Sequence, residues 1–203
     1  VRRVFSTVKA VINLCISEHG LHLSNPFGGV FIPENDLETK RQPIPLSYIR
    51  NVQAECYEYD DDQRWLIALI SDSGMRLSEA CGLLVANIKL DAEIPYLDIK
   101  PHPWRRLKTK GSARQLPLVG SSLWAAQRVV TKASGEFAFP RYCNDKTAKA
   151  NSASGSLNKW LRKRVPEGCV VHSFRHSFRD RLREVQCPSD MIDALGGWST
   201  AGV

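Results

Sequence analysis

The stretch HSFRHSF at residues 172–178 decides the fold prediction. Phe174 and Phe178 lie four residues apart, so we expect a helix after His172 with an aromatic stripe that faces the core. His172 and Arg175 are three residues apart at the start of this helix and can therefore point in the same direction. Histidine exchanges protons near neutral pH, whereas arginine only holds charge. The pair is thus a candidate site for an anionic substrate.

A second arginine, Arg76, stands at the start of an earlier predicted helix, immediately after Ser73-Gly74-Met75. The apolar face of this helix consists of Leu77, Ala80, Cys81 and Leu84. Free backbone N–H groups and the helix dipole favour an anion at its first turn. A guanidinium donates two parallel hydrogen bonds to phosphate oxygens and stays charged at any working pH. Arg76 therefore indicates a phosphate site, and the alternative for this segment alone is a surface arginine paired with Glu79.

The chain from residue 47 onward is predicted to be α+β and mainly α, with a small antiparallel β-sheet. Residues 65–70 carry the apolar face of one helix, which ends at Ser73-Gly74. Short apolar segments between turn formers predict strands at residues 88–90, 96–99 and 114–118. Later helices are predicted around residues 123–130, over a basic amphipathic segment at 157–163, after His172, and from Ser189 to Gly196-Gly197.

The first part of the chain is predicted to hold one helix and a linker. Residues 4–15 carry apolar side chains at helical spacing, and the pattern stops near Gly20. Residues 28–46 contain two glycines and three prolines among polar residues, a composition that fits an extended linker. We therefore predict a domain boundary between an N-terminal helical segment and the rest of the chain.

Composition and charge favour a polyanionic partner. The net charge is +7 and the excess is concentrated at residues 104–114 and 159–164, which indicates nucleic acid before an anionic membrane. No apolar stretch is long enough to cross a bilayer and no signal peptide is visible, so we expect a cytoplasmic protein. The six scattered cysteines predict reduced thiols rather than a metal site. Asp60-Asp61-Asp62 is interpreted as a solvated helix start.

Four motifs in this order resemble the catalytic domain of the tyrosine recombinases, the phage-integrase type of DNA strand-exchange enzyme. They are GMRLSE at residues 74–79, LKTK at 107–110, HSFRHSF at 172–178 and LGGWS at 195–199. The resemblance covers about residues 43–203, which would form the catalytic domain. It implies that residues 1–27 end a core-binding domain, with Ser24-Asn25-Pro26-Phe27 as its exit, and that residues 28–42 are the interdomain linker.

The resemblance assigns the phosphate chemistry to two arginines and a lysine. Arg76 and Arg175 would hold the non-bridging oxygens of the scissile phosphate and stabilise the charge that builds in the transition state. Lys108 would protonate the departing 5′ oxygen, with Lys110 as the alternative. Two residues apart on a strand, these lysines would share a face, so their spacing does not decide between them.

The remaining implied residues surround that phosphate. His172 would act as an acid or base near the nucleophile, and Trp198 would donate its indole N–H to the phosphate, although tryptophan is usually a core aromatic. Glu79 would orient the site rather than react, and His176 would fill a structural hydrogen-bonding role. No metal or nucleotide cofactor is implied.

The attacking tyrosine of the family follows the position of Trp198, and the sequence ends at Val203. None of the five tyrosines present occupies the matching place, so we expect this chain to bind double-stranded DNA without cleaving it. For the full-length protein the resemblance implies cleavage and rejoining at attachment-type sites through a 3′-phosphotyrosine, in a homotetramer on DNA. We expect the chain alone to be monomeric.

Two other functions fit the same residues. One is a degenerate, non-catalytic DNA-binding relative that kept the fold and the phosphate-holding residues. The other is a type IB topoisomerase, whose chemistry uses similar residues; the Asn-Pro exit at residues 25–26 and the short chain favour the integrase interpretation over it.

Overall fold

The computed structural model describes residues 2–31 and 42–198 and divides the chain into two compact units, residues 1–40 and 41–203. In the first unit, helix α1 spans Arg2–Glu18, which confirms the predicted N-terminal helix. Asn25 donates to the carbonyl oxygen of Lys9 at 3.0 Å, and the rings of Phe5 and Phe27 meet edge to face at 5.8 Å. The segment after α1 therefore folds back along it.

The assignment of residues 1–27 to a core-binding domain stays a prediction. Most of the predicted linker, residues 32–41, lies outside the described residues.

The second unit is mainly helical and carries one three-stranded antiparallel sheet. Its helices are α2 Leu46–Tyr59, α3 Asp62–Ser73, α4 Leu77–Cys81, α5 Gly120–Lys132, α6 Ala150–Leu161, α7 Ser173–Glu184 and α8 Ser189–Gly196. The strands are β1 Ile88–Lys89, β2 Tyr96–Ile99 and β3 Arg114–Pro117, in the order β1-β2-β3. Short 3-10 turns occupy Val85–Asn87 and Lys110–Ser112. The predicted α+β class with a small sheet is thus confirmed.

Helix α3 is the centre of the core. All five residues from Leu66 to Ile70 are buried, because the helix packs against α2, α5 and α7. Asp61 begins the helix by accepting a hydrogen bond from the backbone N–H of Arg64 at 3.0 Å, so the acidic run does mark a helix start. Phe174 and Phe178 of α7 are buried, as the aromatic stripe predicted.

All six cysteines are free thiols, and four of them are buried. Burial raises the pKa of the Cys56 and Cys81 thiols to about 12. In the two described ranges, no helix combines the length and the apolar character that crossing a membrane requires.

Helix α4 is shorter than predicted. It ends at Cys81, and Leu84 lies beyond it, before the 3-10 turn. The reason is Arg105, whose Nη1 donates to the carbonyl oxygen of Glu79 at 2.8 Å. In a longer helix the backbone N–H of Leu83 would bind that oxygen; instead it donates to Ala80 at 3.2 Å. A buried side chain from elsewhere in the fold thus replaces the next helical hydrogen bond.

The strand placement of the two candidate lysines is wrong. Lys108 is exposed in the connection between β2 and β3, and Lys110 begins the second 3-10 turn. This turn is closed by a hydrogen bond from Ser112 N–H to the carbonyl oxygen of Thr109 at 3.1 Å, and the two hydroxyls lie 2.9 Å apart. Strand β3 begins only at Arg114, so neither lysine lies on a strand.

Gly74 joins α3 to the candidate site and should not tolerate a side chain. Its φ is +60°, and a Cβ atom would lie 2.6 Å from Cγ of Phe178. We expect Gly74→Ala to lower the free energy of unfolding by about 2–4 kcal/mol, through backbone strain and overpacking together. Urea unfolding of the second unit measures this loss.

Gly168 offers the matched control for Gly74. Its φ is +80°, but beyond its chain neighbours no atom of the described residues lies within 4 Å of its added Cβ. Gly168→Ala should therefore lower the free energy of unfolding by about 1 kcal/mol, through backbone strain alone. Equal losses in the two variants would show that contact with Phe178 does not constrain Gly74.

Candidate active site

Three arginines from three elements surround one buried glutamate. Arg76 is the cap of α4, Arg114 begins β3 and Arg175 lies in the first turn of α7. Glu79 accepts from Arg76 Nη1 at 2.6 Å and from Arg114 Nη2 at 3.1 Å. Its carboxylate also accepts from the backbone N–H of Arg76 at 2.9 Å. One carboxylate therefore fixes two guanidinium groups and the start of α4.

The same three arginines bind the last turn of α8. Arg114 Nε donates to the carbonyl oxygen of Leu195 at 2.7 Å, Arg175 Nη2 to that of Gly196 at 2.5 Å, and Arg76 Nη2 to that of Gly197 at 3.2 Å. The final carbonyls of a helix have no intrahelical partner and carry the negative end of its dipole. The arginines satisfy three consecutive ones, which ties α8 to α4, β3 and α7.

Trp198 follows this turn, and two cationic side chains lie over its ring. Its ring centroid is 4.3 Å from Cζ of Arg175 and 5.0 Å from Cζ of Arg179. A Cβ atom on Gly196 would overlap the Trp198 ring, so a glycine is needed for the ring to lie against the backbone of α8. Trp198 is half-buried, and it therefore serves the arginine cluster rather than the apolar core.

The charges of this cluster are unbalanced. Burial raises the pKa of Glu79, but the adjacent Arg114 and Arg76 outweigh burial and hold that pKa below its ordinary value of 4.5. Burial, followed by repulsion from Arg76, lowers the pKa of Arg175 to about 10, so this guanidinium stays charged at neutral pH. Within the part of the chain that the structure describes, these three cations face one carboxylate, which leaves an excess of two positive charges in this group. Such a site stabilises a bound anion.

The other predicted site residues lie around this cluster. His172 caps α7 one turn before Arg175, and its ring meets that of His176 edge to face with centroids 5.3 Å apart. Lys108 is linked to the cluster indirectly: the hydroxyl of its neighbour Thr109 contacts Ser112, whose Oγ accepts from Arg76 Nη1 at 3.1 Å. Direct contacts join Arg76, Glu79, Arg175 and Trp198 through the end of α8.

Arg114 and Ser112 belong to the cluster but were not predicted from the sequence as site residues. Arg114 shares a strand face with Leu116 and Leu118, both of which are buried. An arginine in the inward register of a half-buried strand needs a polar partner, and this signal was available in the sequence. Ser112 carries no comparable signal, because a serine in a turn is usually just a turn former.

The five tyrosines lie on other elements. Tyr48, Tyr57 and Tyr59 are on α2, Tyr96 is on β2, and Tyr142 follows α5. The Tyr57 hydroxyl lies 2.6 Å from Ser121 Oγ, and Tyr142 is buried. No described contact brings any of them to the three arginines.

The cluster offers the positive charge and the guanidinium donors that binding an anion requires. Residues 50–202 match the model of the phage integrase family. This chain belongs to the phage integrase family, the tyrosine recombinases. Among curated proteins no sequence matches.

Solved recombinase structures share the fold. The Tn1549 transposon integrase in complex with circular intermediate DNA has a TM-score of 0.65 at 20% identity, over 98% of this chain and 71% of that chain. Lambda integrase, in a tetramer bound to a Holliday junction, has a TM-score of 0.66 at 13% identity, over 98% and 56%. XerA recombinase has a TM-score of 0.62 at 12% identity, over 93% and 64%. Such low identities show the fold alone.

Proposed function

We propose that Arg76 and Arg175 hold one backbone phosphate of duplex DNA and that the protein cleaves and rejoins DNA through a 3′-phosphotyrosine intermediate. The observation that carries this proposal is the excess of two positive charges around Glu79, close to the end of α8. A phosphodiester has one negative charge, and attack on phosphorus adds more in the transition state. Fixed guanidiniums stabilise that added charge without reorganisation.

Arg76 and Arg175 keep N–H donors that no group in the described ranges uses. A guanidinium has five N–H groups, and contacts among the described residues use three of Arg76 and two of Arg175. The Arg76 side chain is 18% exposed, whereas Arg175 is 3% exposed. A phosphate should therefore meet Arg76 first and reach Arg175 at the floor of the site.

The other roles follow the family pattern. Lys108 protonates the departing 5′ oxygen, with Lys110 as the alternative; His172 exchanges a proton near the nucleophile, and Trp198 donates its indole N–H to the phosphate. The nucleophile is a tyrosine that is not among the five in this sequence, so these 203 residues bind DNA without cutting it. The lambda integrase tetramer supports a tetramer of the full-length protein on DNA.

Salt dependence of DNA affinity tests the phosphate contacts. The logarithm of affinity for a mixed-sequence duplex should fall linearly with the logarithm of salt concentration, with a slope of about −0.9 per phosphate neutralised. Replacing Arg76 and Arg175 together by alanine should make that slope shallower by about 0.9, because both arginines hold the same phosphate and one phosphate is no longer neutralised. Fluorescence anisotropy at several salt concentrations measures both slopes.

Arg141→Ala is the matched control for this experiment. Arg141 pairs at 2.7 Å with Asp62, the first residue of α3. The arginine cluster lies beyond Ser73, the last residue of that helix. The two places are about 18 Å apart along a 12-residue helix. The control should keep the wild-type slope, and a flat salt response of the wild type would reject the DNA partner.

A further inference from the structure

We propose that Arg114 is a positioning residue of this site: it sets the place of Arg76 by gripping the same three segments that Arg76 binds. The inference rests on the proposed function, since the phosphate that Arg76 holds is the one proposed above.

The contacts of Arg114 run parallel to those of Arg76. On Glu79, Arg114 binds Oε2 at 3.1 Å and Arg76 binds Oε1 at 2.6 Å. On Ser112, Arg114 Nη1 donates to the carbonyl oxygen at 2.8 Å and Arg76 Nη1 to the hydroxyl at 3.1 Å. On the end of α8, Arg114 binds Leu195 and Arg76 binds Gly197. Each segment that Arg76 binds is thus also bound by Arg114.

Arg114 is suited to hold these segments rather than the substrate. Its side chain is 6% exposed, against 18% for Arg76, and each of its three nitrogens already donates a hydrogen bond. The end of α8 lies close to Arg114: a Cβ atom on Gly197 would lie 3.0 Å from Arg114 Nη1. Only a planar fork with three donor directions reaches three segments at once.

A charge alone cannot replace this geometry. Lysine would keep the positive charge beside Glu79, but its single ammonium cannot span a carboxylate, a turn carbonyl and a helix-end carbonyl. Without Arg114, Glu79 and Ser112 lose a partner that fixes them, and the guanidinium of Arg76 loses its defined direction. DNA affinity should therefore fall although Arg114 itself touches no phosphate.

A double-mutant cycle on DNA affinity tests the inference. The full 203-residue chain is titrated with a mixed-sequence duplex in four forms: wild type, Arg114→Met, Arg76→Ala and the double variant. Arg114→Met should weaken binding about tenfold, as expected when a charge-assisted phosphate contact is lost. In the Arg76→Ala background, Arg114→Met should weaken DNA binding less than about twofold, because the residue that Arg114 positions is absent.

Two further variants separate positioning from charge and from folding. Arg114→Lys should weaken binding as much as Arg114→Met does, and Arg141→Ala should leave the affinity unchanged. Thermal unfolding checks that each variant is folded at the assay temperature; Arg114→Gln takes the place of Arg114→Met if the latter is not.

Three results would overturn the positioning role: wild-type affinity in Arg114→Met, full rescue by lysine, or equal losses in both backgrounds. If Arg76→Ala alone leaves the affinity unchanged, the proposed phosphate site fails and the positioning role fails with it. If Arg76→Ala weakens binding but the cycle is additive, the site stands and only the role of Arg114 is rejected.

Discussion

Arg175→Ala should slow DNA strand cleavage by about 10²–10³-fold, the loss typical of removing one donor from an anion-stabilising site. Arg175 reaches the site from the first turn of α7 and is held by the carbonyl oxygens of Gly74 at 2.8 Å and Gly196 at 2.5 Å. Alanine removes its N–H donors while the negative charge of the transition state still develops. The rate is measured on the product of the complete gene, with DNA that it cleaves.

Because Arg175 is buried, loss of activity could also come from misfolding. Thermal unfolding of Arg175→Ala and a parallel Arg76→Ala variant separate the two causes, since Arg76 is more exposed and its removal disturbs the core less. Arg175→Lys should recover little of the rate, because an ammonium cannot hold two phosphate oxygens in parallel. Arg141→Ala should cleave at the wild-type rate. Cleavage within a few-fold of wild type in folded Arg175→Ala would remove Arg175 from the site.

Glu79→Ala should lower the free energy of unfolding by about 3–5 kcal/mol near neutral pH, because it leaves buried guanidiniums without their counter-charge. Arg76 and Arg114 both donate to this carboxylate, and Arg175 repels Arg76 nearby. Urea unfolding measures the loss, and Glu93→Ala on the exposed connection between β1 and β2 is the control. A loss below about 1 kcal/mol would mean that the arginines do not depend on Glu79.

The same carboxylate predicts a pH dependence of stability. The pKa of Glu79 is lower in the folded protein than its ordinary value of 4.5, so its contribution is fully present above pH 4.5. The contribution is lost as the pH falls from 4.5 through the folded pKa, where the carboxylate takes up a proton. Glu79→Gln should lack this component of the acid-side decline.

The sequence was sufficient for the class of fold and for most of the cluster. The periodicity around Phe174 and Phe178 predicted α7, and the segments at residues 88–90, 96–99 and 114–118 predicted the sheet, because these signals are local. Arg76, Glu79, Arg175 and Trp198, named from three separate motifs, lie together in the structure.

Two of the errors came from interactions between distant segments. The end of α4 depends on Arg105, which lies more than twenty residues later and takes the carbonyl of Glu79. The strand placement of Lys108 and Lys110 came from the hairpin of the family, whereas the local contact between the Thr109 and Ser112 hydroxyls helps to form a turn there. The polar partners of Arg114 could not be named from the sequence, because they come from α4, a turn and α8, which only the fold brings together.

A structure of this chain bound to duplex DNA tests the central claim most directly. The quantity to measure is the distance from the guanidinium nitrogens of Arg76 and Arg175 to the nearest phosphate oxygens. We predict that both arginines donate to oxygens of one and the same phosphate, at about 2.7–2.9 Å. A complex in which DNA phosphates contact only exposed lysines and arginines, and the cluster around Glu79 holds none, would contradict the proposal.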